Sequence, residues 1–275
     1  MSSRTIVFIH GLFVSKQCWD PWVARFESRG YQCLAIPYPE RDAPVAELKR
    51  RHPDPRLAAV TLPEVLEHHV RVIQALPEKP VIMGHSYGGL LTQLLLQRGL
   101  GVAGVAISSV PPLGLISTKL SFLRSALPGL NPLIPASSPY YMTFPQFQYS
   151  FAHTLPVEEQ RKAYDQQVVP ESRRLQRAAI SSHARVDFRA PRAPLLLVAA
   201  ELDRIIPAAL NRANLARYGG SPAVTAFKEF AGRTHYTVIA GEGWQEVADY
   251  ALSWGNEVQA DRTGGDENVV DRHTA

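Results

Sequence analysis

The chain has 275 residues, 45% of them hydrophobic, with 29 Lys and Arg against 25 Asp and Glu for a formal charge of +4. That length suits one large domain or a domain carrying an insertion, and the small basic excess does not point to nucleic acid: in and around residues 161–192, Arg173, Arg174, Arg177, Arg185 and Arg189 alternate with Glu158, Glu159, Asp165, Glu171 and Asp187, as on a solvated helical face. Only Cys18 and Cys33 are present, which excludes a disulfide framework or a clustered thiolate metal site, and no run approaches the roughly 20 apolar residues of a membrane span, so a cytoplasmic protein with no stable membrane insertion is expected.

The opening stretch MSSRTIVFIHGLFV places one Arg ahead of an apolar run, as secretion signals do. His10 and Gly11 interrupt it, and no small-residue cleavage pattern follows before Lys16 and Asp20. It reads as a first strand. Further apolar runs, QCLAIPY, PVIMGH, VAGVAISS, PLLLVAA and AVTAFKEF, are predicted strands. Between them lie segments of helical period: DPWVARFESRG, LPEVLEHHVRVIQAL, GGLLTQLLLQRG, PAALNRANLARYG and GWQEVADYALSWG. Such alternation predicts an α/β fold, a parallel sheet with helices on both faces. Gly30, Gly99, Gly219 and Gly255 stand where helices are expected to end in a left-handed residue. His52 belongs to a Pro- and Arg-rich stretch read as a loop.

One interval breaks the pattern. Residues 111–193 are first rich in Pro and aromatics and then of helical character from 156 to 182, too long for an ordinary connection. We read residues 1–110 and 194–255 as the core, 111–193 as an inserted, mainly helical cap, and 256–275 as a disordered tail. Phe13, Phe122, Tyr140, Tyr141, Phe144, Phe147 and Phe151 are candidates to line a pocket beneath the cap; the competing reading is that the cap rings only form its own small core.

Residues 84–89 read GHSYGG, between a predicted strand and a predicted helix. A strand that turns abruptly into a helix forces the residue at the bend into a strained backbone and lifts its side chain above the sheet. Ser86 occupies that point. Gly84 and Gly88 remove side chains that would collide in the bend, and Gly89 lets the helix approach the sheet. The positive end of the helix dipole then faces the hydroxyl, where developing negative charge is stabilised.

Serine is a poor nucleophile unless a base accepts its proton and an acid orients that base. Of nine histidines, His235 in AGRTHYTVI follows the last predicted strand and precedes the last helix, on the rim expected to hold Ser86. No acid follows VAGVAISS until Glu158. After PLLLVAA comes ELDRIIP, offering Asp203 and Glu201; Asp203, deeper in the turn, is preferred. The expected order is Ser86, Asp203, His235. An oxyanion site needs two N–H donors: Tyr87, the residue after the serine, and Leu12, after the first strand. Gly11 lets that chain turn, and His10 is expected to buttress the loop.

HG after the first strand, GHSYGG, ELDRIIP and GRTHY resemble, in that order, the α/β-hydrolase superfamily over approximately residues 5–255. The resemblance implies a six-stranded, mostly parallel sheet lacking that fold's first two strands. It further implies transfer of an acyl group to water, with no cofactor and no metal, on a small-molecule ester. HGLF lacks the HGGG of many lipases and esterases. Ser86 in place of Asp argues against the haloalkane dehalogenase and epoxide hydrolase branches. A lactone or thioester hydrolase, a perhydrolase or a C–C bond hydrolase would use the same three residues; a small-molecule receptor on this fold is the reading of another class.

Overall fold

The computed structural model describes the backbone of residues 3–267 and the side chains of residues 3–261. In chain order the elements are β1 (Thr5–Ile9), α1 (Asp20–Glu27), β2 (Gln32–Ile36), α2 (Val45–Arg50), α3 (Pro55–Ala59), α4 (Leu62–Gln74), β3 (Val81–His85), α5 (Tyr87–Leu96) and β4 (Ala103–Ile107), then α6 (Leu120–Leu130), α7 (Phe144–Ser150), α8 (Val157–Gln167), α9 (Arg173–Ala178), β5 (Leu195–Ala200), α10 (Ala208–Arg217), β6 (Thr225–Phe230) and α11 (Trp244–Glu267).

Six strands form one sheet in the order β2-β1-β3-β4-β5-β6, and every pair is parallel. All residues of β1, β3, β4 and β5 are buried, which their near-continuous Val, Ile, Leu and Ala content requires of strands covered on both faces. The edge strands β2 and β6 are only partly covered. The chain steps from β1 to β2 in one direction and from β3 to β4 in the other. Right-handed crossovers therefore put α1 and α5 on opposite faces. α11 joins α1, where Arg25 grips Asp249 through two hydrogen bonds of 2.7 and 2.6 Å and Trp22 stacks on Trp244. α10 joins α5, where Asn214 donates to Gln93 at 3.0 Å. The strand order reverses between β1 and β3, the kind of switch point at whose carboxyl edge open α/β sheets bind ligands.

Several expectations are corrected. Gly255 does not end a helix, and the tail expected from residue 256 is helical as far as Glu267; residues 268–275 lie outside the described residues. The added turns are held because Gln259 is buried and accepts the Ser3 N–H at 2.8 Å, while Val258 packs on the core. Gly219 lies inside a 3-10 turn, Tyr218–Gly220, that follows α10. The loop around His52 contains α2 and α3. Helices also begin earlier than residue 156 in the insertion between β4 and β5: α7 starts at a capping box in which Thr143 and Gln146 satisfy each other's backbone. The single helical stretch expected over 156–182 is split, because Pro170 lacks an N–H and Glu171 instead pairs antiparallel with Tyr140, each N–H donating to the other carbonyl at 2.8 Å.

Besides His235, three imidazoles are buried among these elements. Burial, with the Arg41 charge second, holds His10 well below the ordinary histidine range, burial holds His69 at about 4, and burial, with His235 second, holds His85 well below that range. The unfolded chain takes up these protons near pH 6.5, so stability is fully present above that pH and is lost as the pH falls toward the folded values. Urea unfolding is expected to show a free energy lower by at least about 2 kcal/mol at pH 5 than at pH 7, the contribution of one such histidine. A flat profile over that interval would contradict the neutral, buried assignment.

Candidate active site

β1 and β3 run side by side, with Ile9 opposite Gly84, so their carboxyl ends deliver the segments 10–13 and 85–88 to one place. Space there is short. A Cβ on Gly88 would lie 2.1 Å from the Ile9 carbonyl oxygen, one on Gly84 2.0 Å from the Gly88 oxygen, and one on Gly11 2.8 Å from Ser86 Cβ. Only glycine fits at each position. Ser86 is carried at φ 57°, ψ −116°, a conformation that costs a side-chain-bearing residue about 1–3 kcal/mol. Its N–H donates to Ile107 O at 2.9 Å, and its carbonyl accepts the N–H groups of Gly89 and Val110 at 3.0 and 2.9 Å. These bonds hold the bend against its strain, and α5 starts at the next residue.

Asp203 and His235 come from the turns after β5 and β6, which are adjacent strands. His235 Nδ1 lies 2.7 Å from Asp203 Oδ2, with both side chains fully buried. The second oxygen, Oδ1, accepts the N–H groups of Ile205 and Ile206 at 2.8 and 2.7 Å, so the carboxylate is fixed at both ends. Because a carboxylate only accepts, Nδ1 carries the proton and a neutral His235 leaves Nε2 bare. That Nε2 is buried and has no hydrogen-bond partner among the described residues. Glu201, the other acid at this turn, is exposed and accepts the Gly232 N–H at 2.8 Å, so it does not meet His235.

His85, the residue before Ser86, joins the two halves. Its Nε2–H donates to the His235 carbonyl at 2.9 Å, and the two rings lie 4.6 Å apart. His85 thus links the backbone next to Ser86 to the turn that carries His235, and no direct hydrogen bond joins Ser86 Oγ to His235 Nε2. Such bonds are often long until a substrate is bound. The role of His85 had no signal in the sequence beyond its place in GHSYGG.

His10 sits where the loop after β1 begins. Its Nδ1–H donates to Gly11 O at 2.7 Å while Nε2 accepts the Tyr38 N–H at 3.3 Å, two bonds that agree on one neutral tautomer. Tyr38 OH returns a bond to His10 O at 2.6 Å. Neither the Leu12 nor the Tyr87 N–H is taken up by an acceptor among the described residues. The Tyr87 ring points away, its OH donating to Leu175 O at 2.8 Å.

The expected pocket rings divide. Phe13 meets Tyr140 edge-on at 5.4 Å, Phe147 stacks on Phe151 at 5.3 Å, and Phe151 meets the His235 ring at 5.1 Å. Tyr141 and Phe144 instead gather on Tyr164, within the insertion. Phe122 is half-buried on α6. Of the insertion's rings, only Phe151 is in ring contact with His235.

A buried ion pair, absent from the sequence expectations, fastens the insertion to the loop after β2, and both of its partners also bind the loop after β1. Arg41 Nη1 lies 2.7 Å from Glu171 Oε2, with both side chains 1% exposed. Arg41 also donates to Pro170 O at 3.1 Å and Val14 O at 2.5 Å; Glu171 accepts the N–H groups of Phe13 and Ser172 at 3.3 and 2.8 Å. Phe13, held at φ 67°, is gripped again where its carbonyl accepts the Val169 N–H at 2.9 Å. Because the partners are 130 residues apart, no local pattern announces them. Removing one partner strands a buried charge, so Arg41→Met and Glu171→Leu are each expected to lose about 3–5 kcal/mol of unfolding free energy. The double variant should lose less than their sum by about 2 kcal/mol or more in urea titrations; strict additivity would contradict the coupling.

Residues 6–250 match the model of the Alpha/beta hydrolase family. Comparison with curated proteins gives no match. Among solved structures, the monoacylglycerol lipase of Paleococcus ferrophilus is similar at 16% identity and TM-score 0.66, covering 94% of this chain and 96% of that one. A pyrethroid hydrolase from Sphingobium faniae JZ-2 is similar at 16% identity and TM-score 0.68, with coverage of 93% and 98%. Tomato Methylketone Synthase I complexed with 2-tridecanone gives 17% identity, TM-score 0.66 and coverage of 94% and 100%. At such identities the structural likenesses speak for the fold alone, and it is the family match over nearly the whole chain, on the sheet and turns described above, that decides membership: the chain belongs to the alpha/beta hydrolase family.

Proposed function

We propose that the protein is a serine hydrolase that cleaves a carboxylic ester of a small or medium apolar substrate through an acyl-enzyme. The observation that carries this reading is the His235 imidazole, bonded through Nδ1 to a buried carboxylate and bare at Nε2, with its backbone carbonyl held by His85, the neighbour of a serine on a strained strand-to-helix turn. Ser86 Oγ attacks the ester carbonyl carbon as its proton passes to His235 Nε2, and the carbonyl π pair moves onto oxygen. The resulting oxyanion accepts from the N–H groups of Leu12 and Tyr87, which α5 supplements with the positive end of its dipole. Collapse of the tetrahedral species expels the alkoxide, which takes the proton from His235. Water then repeats the sequence on the acyl-serine and releases the acid. Asp203 holds the imidazole in the productive tautomer throughout and stabilises the imidazolium.

The insertion acts in this reading as a cap, with Phe13, Tyr140, Phe147 and Phe151 supplying apolar surface near the reacting carbon. Tyr141 and Phe144 form part of the cap's own core. The names of two structural neighbours, a monoacylglycerol lipase and a pyrethroid hydrolase, agree with a hydrolytic role.

A short-chain p-nitrophenyl ester is expected to be turned over. Ser86→Ala should lower kcat by about 10⁶-fold or to background, and Asp203→Asn by about 10⁴-fold through the wrong imidazole tautomer. Both variants should unfold within a few degrees of the wild type. Turnover retained in folded Ser86→Ala would overturn the proposal.

A further inference from the structure

The outward side of α6 carries residues that a water-facing helix ordinarily lacks. Leu120, Leu123 and Leu127 recur every three or four positions and so share one side of the helix, and Ile116 lies in the non-helical segment just ahead of it. Ile116 and Leu120 are 79% exposed, Leu127 59% and Leu133, in the turn that follows, 89%. Phe122, Ser125 and Ala126 turn partly inward and Gly129 is buried, which leaves the aliphatic stripe as the outer surface. The segment is held firmly. Arg173 donates to Pro128 O and Gly129 O at 2.7 and 3.2 Å, Arg177 donates to Asn131 O and Ile134 O at 2.6 Å each, and Ser125 Oγ donates to Arg204 O at 3.3 Å.

Charge around the stripe has one sign. Residues 111–157 contain no Asp or Glu, and their charged side chains, Lys119 and Arg124, are both exposed. Of the helices packed on α6, α7 has no charged residue and α9 brings the exposed Arg174 and the half-buried Arg177 without an acid, its Arg173 being buried. Arg204 adds another cation beside Ser125. Asp203 and Glu171, the acids nearest in sequence to these arginines, are buried against His235 and Arg41, and the exposed Glu201 accepts the Gly232 N–H after β6. Aliphatic side chains edged by cations and free of carboxylates match the boundary between headgroups and acyl chains of an anionic bilayer. A second copy of the chain is a poorer fit, because a two-fold contact through this face would oppose like charges.

We infer that α6 is a docking surface for anionic lipid membranes, with Ile116, Leu120, Leu123 and Leu127 entering the interface and Lys119 and Arg124 meeting the headgroups. The contact is peripheral, since no helix of the described residues is long and apolar enough to cross a bilayer. Nothing in this inference depends on the chemistry at Ser86.

Sedimentation of the full chain with vesicles of equal parts phosphatidylglycerol and phosphatidylcholine tests it. Binding is expected to exceed that to pure phosphatidylcholine by about tenfold or more and to weaken as salt is raised. The Leu120→Glu/Leu127→Glu variant should lose binding by about tenfold or more with its unfolding midpoint unchanged. Lys119→Glu/Arg124→Glu should abolish the preference for the anionic vesicles. Absence of binding by the wild type, or equal binding by the folded leucine variant, would overturn the inference. So would a dimer in lipid-free sedimentation velocity that the leucine variant abolishes, which would assign the face to a second copy.

Discussion

The structure turns on the close approach of two backbone segments at the carboxyl ends of β1 and β3. Ile9, Gly11, Gly84 and Gly88 meet at distances that leave no room for a side chain, and Ser86 is pressed into a left-handed conformation at their centre. Neither the strain nor the crowding is local in origin. Both are imposed by a sheet whose strands are buried on two faces and whose order reverses between β1 and β3, so that one loop leaves to each side. The hydrophobic gain from covering that sheet sustains a backbone conformation that an isolated peptide would abandon.

Around this bend the remaining polar groups are arranged to be neutral or paired. His10 is locked in one tautomer by Gly11 O and the Tyr38 N–H, and His85 gives its Nε2–H to the His235 backbone. Asp203 spends both oxygens, one on the amides of its own turn and one on His235. Two ring nitrogens of this network have no hydrogen-bond partner among the described residues, His85 Nδ1 and His235 Nε2, and only the second belongs to an imidazole bonded to a carboxylate. An unsatisfied buried acceptor is a penalty for the resting fold, and in the proposed reaction the proton that leaves Ser86 Oγ relieves it. The Arg41–Glu171 pair extends the same logic outward, tying the loop that bears Leu12 and Phe13 to an insertion that begins a hundred residues later in the chain.

Much of the sheet was legible because its signal is strong and local. TIVFIH, PVIMGH and PLLLVAA are apolar at almost every position, and only a strand covered on both faces tolerates that. Ser86, Asp203 and His235 were legible for a related reason: each follows a predicted strand, and parallel strands end on one rim. Legibility failed where long-range contacts decide the outcome. Gly255 looked like a helix end, yet Gln259 and Val258 find partners that carry α11 further. Pro-rich segments hid α2, α3, α6 and α7, since Pro44, Pro55, Pro128 and Pro145 read as breakers and the arginines that hold the end of α6, Arg173 and Arg177, lie far off in sequence. The same limit explains the pocket rings. Nothing in the spacing of Tyr141, Phe144, Phe147 and Phe151 distinguishes rings that turn to Tyr164 from the one that reaches His235.

The central claim is that Ser86 is a nucleophile activated by His235 and Asp203. Incubation with a fluorophosphonate, followed by intact mass and peptide mapping, tests it without knowledge of the natural substrate. The account predicts a single adduct on the peptide that contains Ser86, formed on the native protein and absent after unfolding or in His235→Ala. An unmodified native protein, or an adduct on another residue with Ser86 free, would contradict it.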